Sequence, residues 1–182
     1  MDKKFAFQVI GLTILILGSL FYVYRGQSLL PRVATNPSTT ESRVPAGNTI
    51  ELTILDAASN PNLRLVKSKL NIELADTKEK RAKGLGGRDF LASDSGMLFI
   101  HDTSDRHKYW MKGMRIPLDF IWINEDRVVD ILKNIKPPVE GQSDETIPLV
   151  APIVPVNRVL EVNAGFTDSN NIRIGDKIEF TN

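Results

Sequence analysis

The longest apolar run of the chain lies near its N-terminus, where residues 5–24 contain no charged side chain. At about 1.5 Å per residue this run forms a helix of roughly 30 Å, the thickness of the hydrocarbon core of a bilayer. Bulky residues from Phe21 to Tyr24 occupy the place where a signal peptide would need small residues for cleavage. The pattern therefore predicts an uncleaved, single-pass membrane anchor over residues 1–25, and a cleaved signal peptide is the alternative.

Residues 26–48 are rich in proline, serine, threonine and asparagine and show no apolar periodicity. This composition predicts a flexible tether that leads to a domain over residues 49–182. Basic residues flank the apolar run on both sides, so the positive-inside rule hardly distinguishes the two orientations. We expect the N-terminus inside and the domain on the extracytoplasmic side of the cell membrane.

From Thr49 onward, apolar and polar residues alternate over short segments that are separated by turn-forming residues. Such alternation is typical of half-buried β-strands, and short wholly apolar runs are typical of buried ones. The segments with these patterns are residues 50–55, 63–74, 96–100, 109–111, 118–123, 128–131, 159–162 and 177–180. They predict a mainly β fold, a compact β-sandwich or barrel with one or two short helices.

One helix and one long loop interrupt the strands. Asp76 is the predicted N-cap of the helix, with Glu79 reaching back as in a capping box, and Gly84 suits its end. Residues 136–155 contain many of the prolines, which cannot donate hydrogen bonds to a sheet. This stretch is predicted to be a loop or an edge, and its length suits either a functional lid or a disordered segment.

Composition excludes several classes of function. The chain has 23 basic and 22 acidic residues, so no basic excess indicates nucleic-acid binding. It has no cysteine, which excludes a thiol nucleophile and lipoprotein processing. It also contains no Gly-x-Ser-x-Gly elbow, phosphate-binding loop or dinucleotide fingerprint. We therefore expect no cofactor.

Several ordered motifs resemble a known family. They are residues 73–77 (ELADT), Arg81 with Gly84-Leu85 and Arg88, and residues 96–99 (GMLF), 109–112 (YWMK), 117–121 (PLDFI), 159–165 (VLEVNAG) and 174–176 (IGD). Over residues 65–180 the chain resembles the uncharacterised bacterial and archaeal domain-of-unknown-function family 192. The resemblance implies a compact β-sandwich or barrel, often behind an export or anchor segment, with no established reaction. Gly86 and Gly113-Met114 depart from the family pattern, which usually has Met and Asn-Thr there.

Two carboxylates stand inside apolar strand segments, Asp119 in residues 118–123 and Glu161 in residues 159–162. A buried carboxylate must be paired, hydrogen-bonded or protonated. Arg81 and Arg88, near the end of the predicted helix, are natural partners. The sequence leaves open an internal salt bridge, a ligand-binding polar cluster, or a pair that acts as general acid and base.

Both histidines lie in residues 101–107 (HDTSDRH), a segment predicted to be a loop. Two imidazoles and two carboxylates could bind a metal ion, but their spacing matches no standard motif, so we predict no metal. The alternatives are a solvated loop and a groove lined by His107 beside Tyr109. Four further residues could line an apolar pocket or a sugar-stacking platform, or belong to the core; they are Trp110, Met111, Met114 and Trp122.

Two functions remain. The favoured one is a membrane-tethered, extracytoplasmic, non-catalytic module that binds a small ligand, a glycan or an envelope protein. Its candidate ligand-binding residues are Arg81, Arg88, His107, Trp110, Lys112, Asp119 and Glu161. The alternative is a hydrolase-like enzyme that uses the carboxylates Asp119 and Glu161, with Arg88 or Lys112 holding an anionic group. A third reading is purely structural, with the charges only holding the fold.

Overall fold

The computed structural model describes residues 49–58 and 64–181. The predicted anchor and tether lie outside the described residues, among which no helix is long and apolar enough to cross a membrane. The strands in this part of the chain are β1 (Thr49–Leu55), β2 (Val66–Ala75), β3 (Ser95–Asp105), β4 (Leu118–Asn124), β5 (Arg127–Ile135), β6 (Val156–Asn163) and β7 (Lys177–Thr181). The helices are α1 (Lys78–Lys83), α2 (Phe166–Ser169) and a 3-10 helix (Asp144–Thr146).

The seven strands of the described chain close into a barrel in the order β1-β2-β3-β6-β4-β5-β7. Neighbouring strands are antiparallel, except that β2 and β3 run parallel. A parallel pair needs a crossover connection, which α1 and the residues after it supply. The predicted mainly β fold with short helices is confirmed, and of the two predicted architectures the structure has the barrel.

Apolar side chains are buried on both surfaces of part of the barrel wall. Every strand contributes to an inner cluster, which includes Leu52, Ile72, Leu98, Ile121, Val128, Leu160 and Ile178. A second cluster lies on the outer surface of β3, β4 and β6 and includes Met97, Phe99, Phe120, Trp122 and Val159. Because successive strand residues face opposite sides, a strand between the two clusters is buried on both faces. In β4 this holds for residues 118–123, which are apolar except for Asp119.

Helix α1 lies where the sequence predicts it and ends at Gly84, but its N-cap is Thr77 and the prediction of Asp76 is wrong. The Thr77 hydroxyl accepts a hydrogen bond from the backbone N–H of Lys80 at 3.2 Å. Thr77 has the extended backbone that an N-cap needs, with φ −109° and ψ 162°, directly before the first helical residue. Asp76 lies one residue too early and pairs with the Lys80 ammonium at 2.7 Å.

Two predicted segments change type in the structure. Residues 101–105, predicted to be a loop, continue β3 to Asp105. Tyr109-Trp110-Met111, predicted to be a strand, forms only one bridge, between Tyr109 and Val150. The chain opposite Tyr109 is the proline-rich loop, and prolines on both sides of Val150 remove donors that a longer ladder would need.

Asp119 joins three elements at one end of the barrel. Its carboxylate is completely buried and accepts hydrogen bonds from the backbone N–H groups of Asn134 (2.8 Å), Gly165 (3.2 Å) and Thr167 (3.0 Å). The Thr167 hydroxyl donates a fourth at 2.6 Å. These uncharged donors from β5 and the start of α2 satisfy the carboxylate. The predicted pairing of Asp119 with an arginine is therefore wrong.

We predict that Asp119→Ala destabilises the protein by about 3–5 kcal/mol, because buried donors without an acceptor cost about 1–3 kcal/mol each. Asp119→Asn should cost less, since its carbonyl oxygen still accepts. Chemical denaturation of the purified chain measures both changes. Asp89→Ala is the matched control, because Asp89 is exposed and pairs with an exposed arginine, so its loss should stay within about 0.5 kcal/mol. Equal stabilities of Asp119→Ala and Asp89→Ala would contradict the assigned role.

Candidate functional site

The outer surface of β3 and β6 opens into a cleft of about 320 Å³ beside helix α1. One wall comes from residues 81–86, at the end of α1, and the other from residues 107–114, between β3 and β4. Strand residues Phe99, His101 and Glu161 line the side toward the barrel. Ligand pockets commonly measure about 300–1,000 Å³, so this cleft suits a small molecule.

The cleft brings together five of the predicted ligand-binding residues, namely Arg81, His107, Trp110, Lys112 and Glu161. Arg88 and Asp119 do not line it. The Arg88 guanidinium forms a two-pronged ion pair with the Glu73 carboxylate, with distances of 2.5 and 2.8 Å. The proposed pairing of Arg88 with either strand carboxylate is therefore wrong.

The strand register separates the two buried carboxyl groups. On β4 and β6, Asp119 lies opposite Val162, and Phe120 lies opposite Glu161. Residues that pair across two strands share a face, and neighbours along a strand do not. Asp119 therefore faces the barrel interior, while Glu161 faces the cleft. The acid–base pair of the hydrolase hypothesis does not form.

Glu161 is 4% exposed, and no described residue hydrogen-bonds to its carboxyl group. Its closest strand neighbours on the same face are Met97 of β3 and Phe120 of β4, which are both apolar. Burial raises the pKa of Glu161 to about 8, so the group is largely protonated at neutral pH. A protonated carboxyl can both donate and accept a hydrogen bond, and here neither capacity is used by the described chain.

Gly96 allows β3 to approach the strand that carries Glu161. A Cβ atom at Gly96 would lie 2.8 Å from the backbone oxygen of Glu161 and 3.0 Å from Cγ1 of Val162. Either distance is shorter than ordinary contact, so a larger residue would push the two strands apart. The glycine of the GMLF motif is thus required for the position of the Glu161 backbone.

His101, His107 and Tyr109 form a connected group in the cleft. The imidazoles stack with centroids 3.6 Å apart, and Nε2 of His101 lies 2.7 Å from the Tyr109 hydroxyl oxygen. Burial, with a further contribution from the His107 ring, lowers the pKa of His101 to about 4. Burial, followed by the charge of Glu161, raises the pKa of Tyr109 above its usual value. His101 and Tyr109 are therefore uncharged hydrogen-bonding groups at neutral pH.

Basic side chains line the mouth of the cleft. Nη1 of Arg81 donates to the carbonyl oxygens of Asp76 at 3.0 Å and Ile100 at 2.8 Å, which holds the guanidinium in place. Lys83 and Lys108 also line the cleft, and both are exposed. Across residues 49–58 and 64–181, no three His, Asp or Glu side chains form a group that could hold a metal ion.

Trp110 contributes a half-exposed indole to the same mouth. The Lys112 ammonium lies 5.1 Å from the centroid of this ring and 2.5 Å from a carboxylate oxygen of Asp144. Of the other residues predicted for a pocket or the core, Met111 and Trp122 are buried in the core, and Met114 lines the cleft.

The positions that depart from the family pattern lie at the cleft. Gly86 and Met114 line it, and the backbone N–H of Gly87 donates to the carbonyl of Gly113 at 2.8 Å, which joins the two walls. Gly86 places no side chain where the pattern usually has methionine. The lining of this cleft therefore differs from that of a chain that follows the usual pattern.

Four polar lining residues are not among the predicted ligand-binding residues: Lys83, His101, Lys108 and Tyr109. The sequence could have indicated Tyr109, because it is the first residue of the YWMK motif, which contains the predicted residues Trp110 and Lys112. The lysines carry no such signal, since exposed lysines are common on any surface.

Comparisons with known proteins agree with this fold. The sequence model of domain-of-unknown-function family 192 (DUF192), described as an uncharacterized ACR, matches residues 62–180. A proposed transcription regulator from Sinorhizobium meliloti is 28% identical, with a TM-score of 0.62 over 72% of this chain and 93% of that one. A protein of unknown function from Novosphingobium aromaticivorans is 31% identical, with a TM-score of 0.60 over 74% of this chain and 88% of that one. No match was found among curated proteins.

We predict that Glu161→Gln changes how stability depends on pH. Burial raises the pKa of Glu161 from 4.5 to about 8, so the folded state binds this proton more tightly than the unfolded state. The contribution of this proton to the stability of the folded state is fully present below about pH 4.5 and is lost as the pH rises through about 8. One pKa unit corresponds to about 1.4 kcal/mol. Between pH 5 and pH 8 the free energy of unfolding of Glu161→Gln should therefore rise by about 3–4 kcal/mol relative to that of the wild type, as measured by denaturation at each pH.

The comparison isolates Glu161, because both proteins contain His101. The lowered pKa of His101, about 4, removes stability from both as the pH falls from 6.5. Glu51→Gln is the matched control, since Glu51 is partly exposed and pairs with Lys69, and it should follow the wild type. A Glu161→Gln variant with the same pH dependence as the wild type would contradict a buried, protonated carboxyl.

Proposed function

Since the chain belongs to domain-of-unknown-function family 192, which is uncharacterised, we propose its function from the cleft: it is a membrane-tethered, extracytoplasmic protein that binds a small hydroxylated ligand above Glu161. The observation that carries this proposal is the buried Glu161 carboxyl, which no described residue hydrogen-bonds. Most buried polar groups have a partner, so a buried group that faces a cleft and has none calls for a partner from outside the chain.

A hydroxyl group is the best complement to Glu161. A protonated carboxyl donates one hydrogen bond and accepts another, and a hydroxyl can serve both. A cationic ligand would pair with an ionised carboxylate, but the basic side chains at the mouth, Arg81, Lys83 and Lys108, would repel it. The uncharged Tyr109 hydroxyl offers a second hydrogen-bonding point beside Glu161. Several hydroxyl groups on one small molecule describe a sugar or a related polyol.

The exposed indole of Trp110 supports the same ligand class. An aromatic ring offers a flat apolar face against which the C–H groups of a sugar ring can pack. Glycoside hydrolysis commonly uses two carboxyl groups on either side of the scissile bond, and Glu161 is the one carboxyl among the described lining residues. The cleft is therefore better suited to binding than to hydrolysis.

The membrane attachment in this proposal is supported by the sequence. Residues 5–24 are free of charge and long enough to span a bilayer as a helix. A flexible tether over residues 26–48 would span about 25–30 Å on average, which keeps the domain close to the membrane surface. Such a position suits a ligand from the cell envelope.

The binding test uses the full chain in a detergent without a sugar headgroup, so that the detergent does not compete. Glucose, N-acetylglucosamine, glucuronate and glycerol are the probes. The chain has two tryptophans: Trp110 lies at the cleft, and the completely buried Trp122 packs against the cleft residue Tyr109. The change in emission that Trp110→Phe removes therefore reports on Trp110. A ligand at 100 times its Kd should also raise the free energy of unfolding by about 2.7 kcal/mol.

Glu161→Leu should abolish binding, while Glu51→Gln, which changes a partly exposed carboxylate elsewhere, should leave the affinity unchanged. Melting of each variant without ligand shows whether it is folded. The proposal fails if none of the probes binds the folded wild type, or if Glu161→Leu binds as tightly as the wild type does.

The membrane proposal predicts that the full chain stays in the membrane pellet after alkaline carbonate extraction, whereas a variant without residues 1–25 becomes extractable. It also predicts that alkaline phosphatase fused to the C-terminus is active and that a green fluorescent protein fused there is dark, because the domain is exported. A bright fluorescent fusion with an inactive phosphatase would place the domain in the cytoplasm and overturn this part of the proposal.

A further inference from the structure

The charges that line the Glu161 cleft do not balance. Four basic side chains line it, Arg81, Lys83, Lys108 and Lys112, against the single carboxyl of Glu161. The Lys112 ammonium is neutralised by the Asp144 carboxylate at 2.5 Å. The other three have no carboxylate partner in the part of the chain that the structure describes. Because Glu161 is mostly protonated at neutral pH, it does not offset their charge.

Arg81 differs from an ordinary surface arginine because its position is held by the chain. Its Nη1 donates to the carbonyl oxygens of Asp76 and Ile100, and its side chain is partly buried. These bonds use one nitrogen of the guanidinium, and no described acceptor takes the N–H groups of the other two. A fixed guanidinium with free N–H groups is suited to carboxylate and phosphate, whose oxygens match its planar geometry.

The size and the polar groups of the cleft restrict the rest of the ligand. A volume of about 320 Å³ admits a molecule of roughly monosaccharide size. Glu161, on the side toward the barrel, and the Tyr109 hydroxyl, on the wall of residues 107–114, both suit hydroxyl groups. The basic residues and the hydroxyl-binding groups line one cleft, so a single small molecule can contact both sets.

We propose that the ligand of the Glu161 cleft is an anionic sugar, a polyhydroxylated molecule that carries one carboxylate or phosphate. Its hydroxyl groups meet Glu161 and Tyr109, and its anionic group meets Arg81, Lys83 and Lys108. This inference rests on the proposed function and adds the charge of the ligand to it.

The test measures the affinities of the full chain for matched probes by Trp110 fluorescence and calorimetry. The probes are glucose, glucuronate, glucose-6-phosphate, glucosamine, acetate and inorganic phosphate. We expect at least one of the two anionic sugars to bind at least about tenfold more tightly than glucose, since tenfold corresponds to about 1.4 kcal/mol and one charge-assisted hydrogen bond supplies at least that much. Glucosamine, which is cationic, should bind more weakly than glucose. Higher salt should weaken binding of the anionic sugar more than binding of glucose.

The double variant Lys83→Gln/Lys108→Gln should lose part of the preference for the anionic sugar, because Arg81 remains, and it should keep its affinity for glucose. Lys78→Gln/Lys136→Gln is the matched control, because it removes the same charge from two exposed lysines that do not line the cleft. The control should keep the preference. Melting without ligand establishes that both double variants are folded.

The outcomes distinguish a failure of this inference from a failure of the proposed function. If glucose binds as tightly as the anionic sugars, and Glu161→Leu abolishes that binding, the inference is overturned and the proposed function stands. If inorganic phosphate or acetate binds as tightly as the anionic sugars, the site takes an anion alone and the sugar is excluded. If both double variants lose the preference equally, net charge explains it and Lys83 and Lys108 do not. If no probe binds, both proposals fail.

Discussion

The burial of β4 and the second half of β6 on both faces is the constraint on which the rest of the structure depends. The inner faces carry Ile121 and Leu160 into the barrel core, and the outer faces carry Phe120 and Glu161 beneath the cleft. Because side chains alternate, a slip of one residue in register would exchange Leu160 with Glu161 and put a carboxyl into the barrel. The apolar residues on both faces thus set the register, and the register places Glu161.

The two buried carboxyl groups illustrate two uses of the same chemistry. Asp119 accepts four hydrogen bonds from β5 and the start of α2, so its burial joins the elements at one end of the barrel. Glu161 accepts none from the described chain and is held mostly protonated by its apolar neighbours. Burial of such a group destabilises the fold, and a ligand that hydrogen-bonds to it would offset that loss. The Asp119 carboxyl therefore stabilises the fold, and the Glu161 carboxyl is available for binding.

The two cleft walls are built from chain outside the strands, while Phe99, His101 and Glu161 line the cleft from the strands themselves. Residues 81–86 and 107–114 supply the basic and aromatic groups, and the hydrogen bond between Gly87 and Gly113 holds the two walls together. The bridge between Tyr109 and Val150 fastens the second wall to the proline-rich loop. Substitutions at lining positions such as Gly86 and Met114 can therefore change the shape of the cleft without altering the barrel core.

Local pattern was enough to predict the mainly β class, most of the strands, the helix over residues 78–83 and the burial of Asp119 and Glu161, because alternation and apolar runs report directly on burial. It also selected five residues that line the cleft. It could not show that the strands close into a barrel or that the two carboxyl groups face opposite sides, because both depend on which strands pair and in what register. The hydrogen-bond partners of Arg81, Arg88 and Asp119 could not be predicted from the local pattern either. Hydrogen bonds between residues far apart in sequence are decided by how the elements pack, and local periodicity carries no record of that packing.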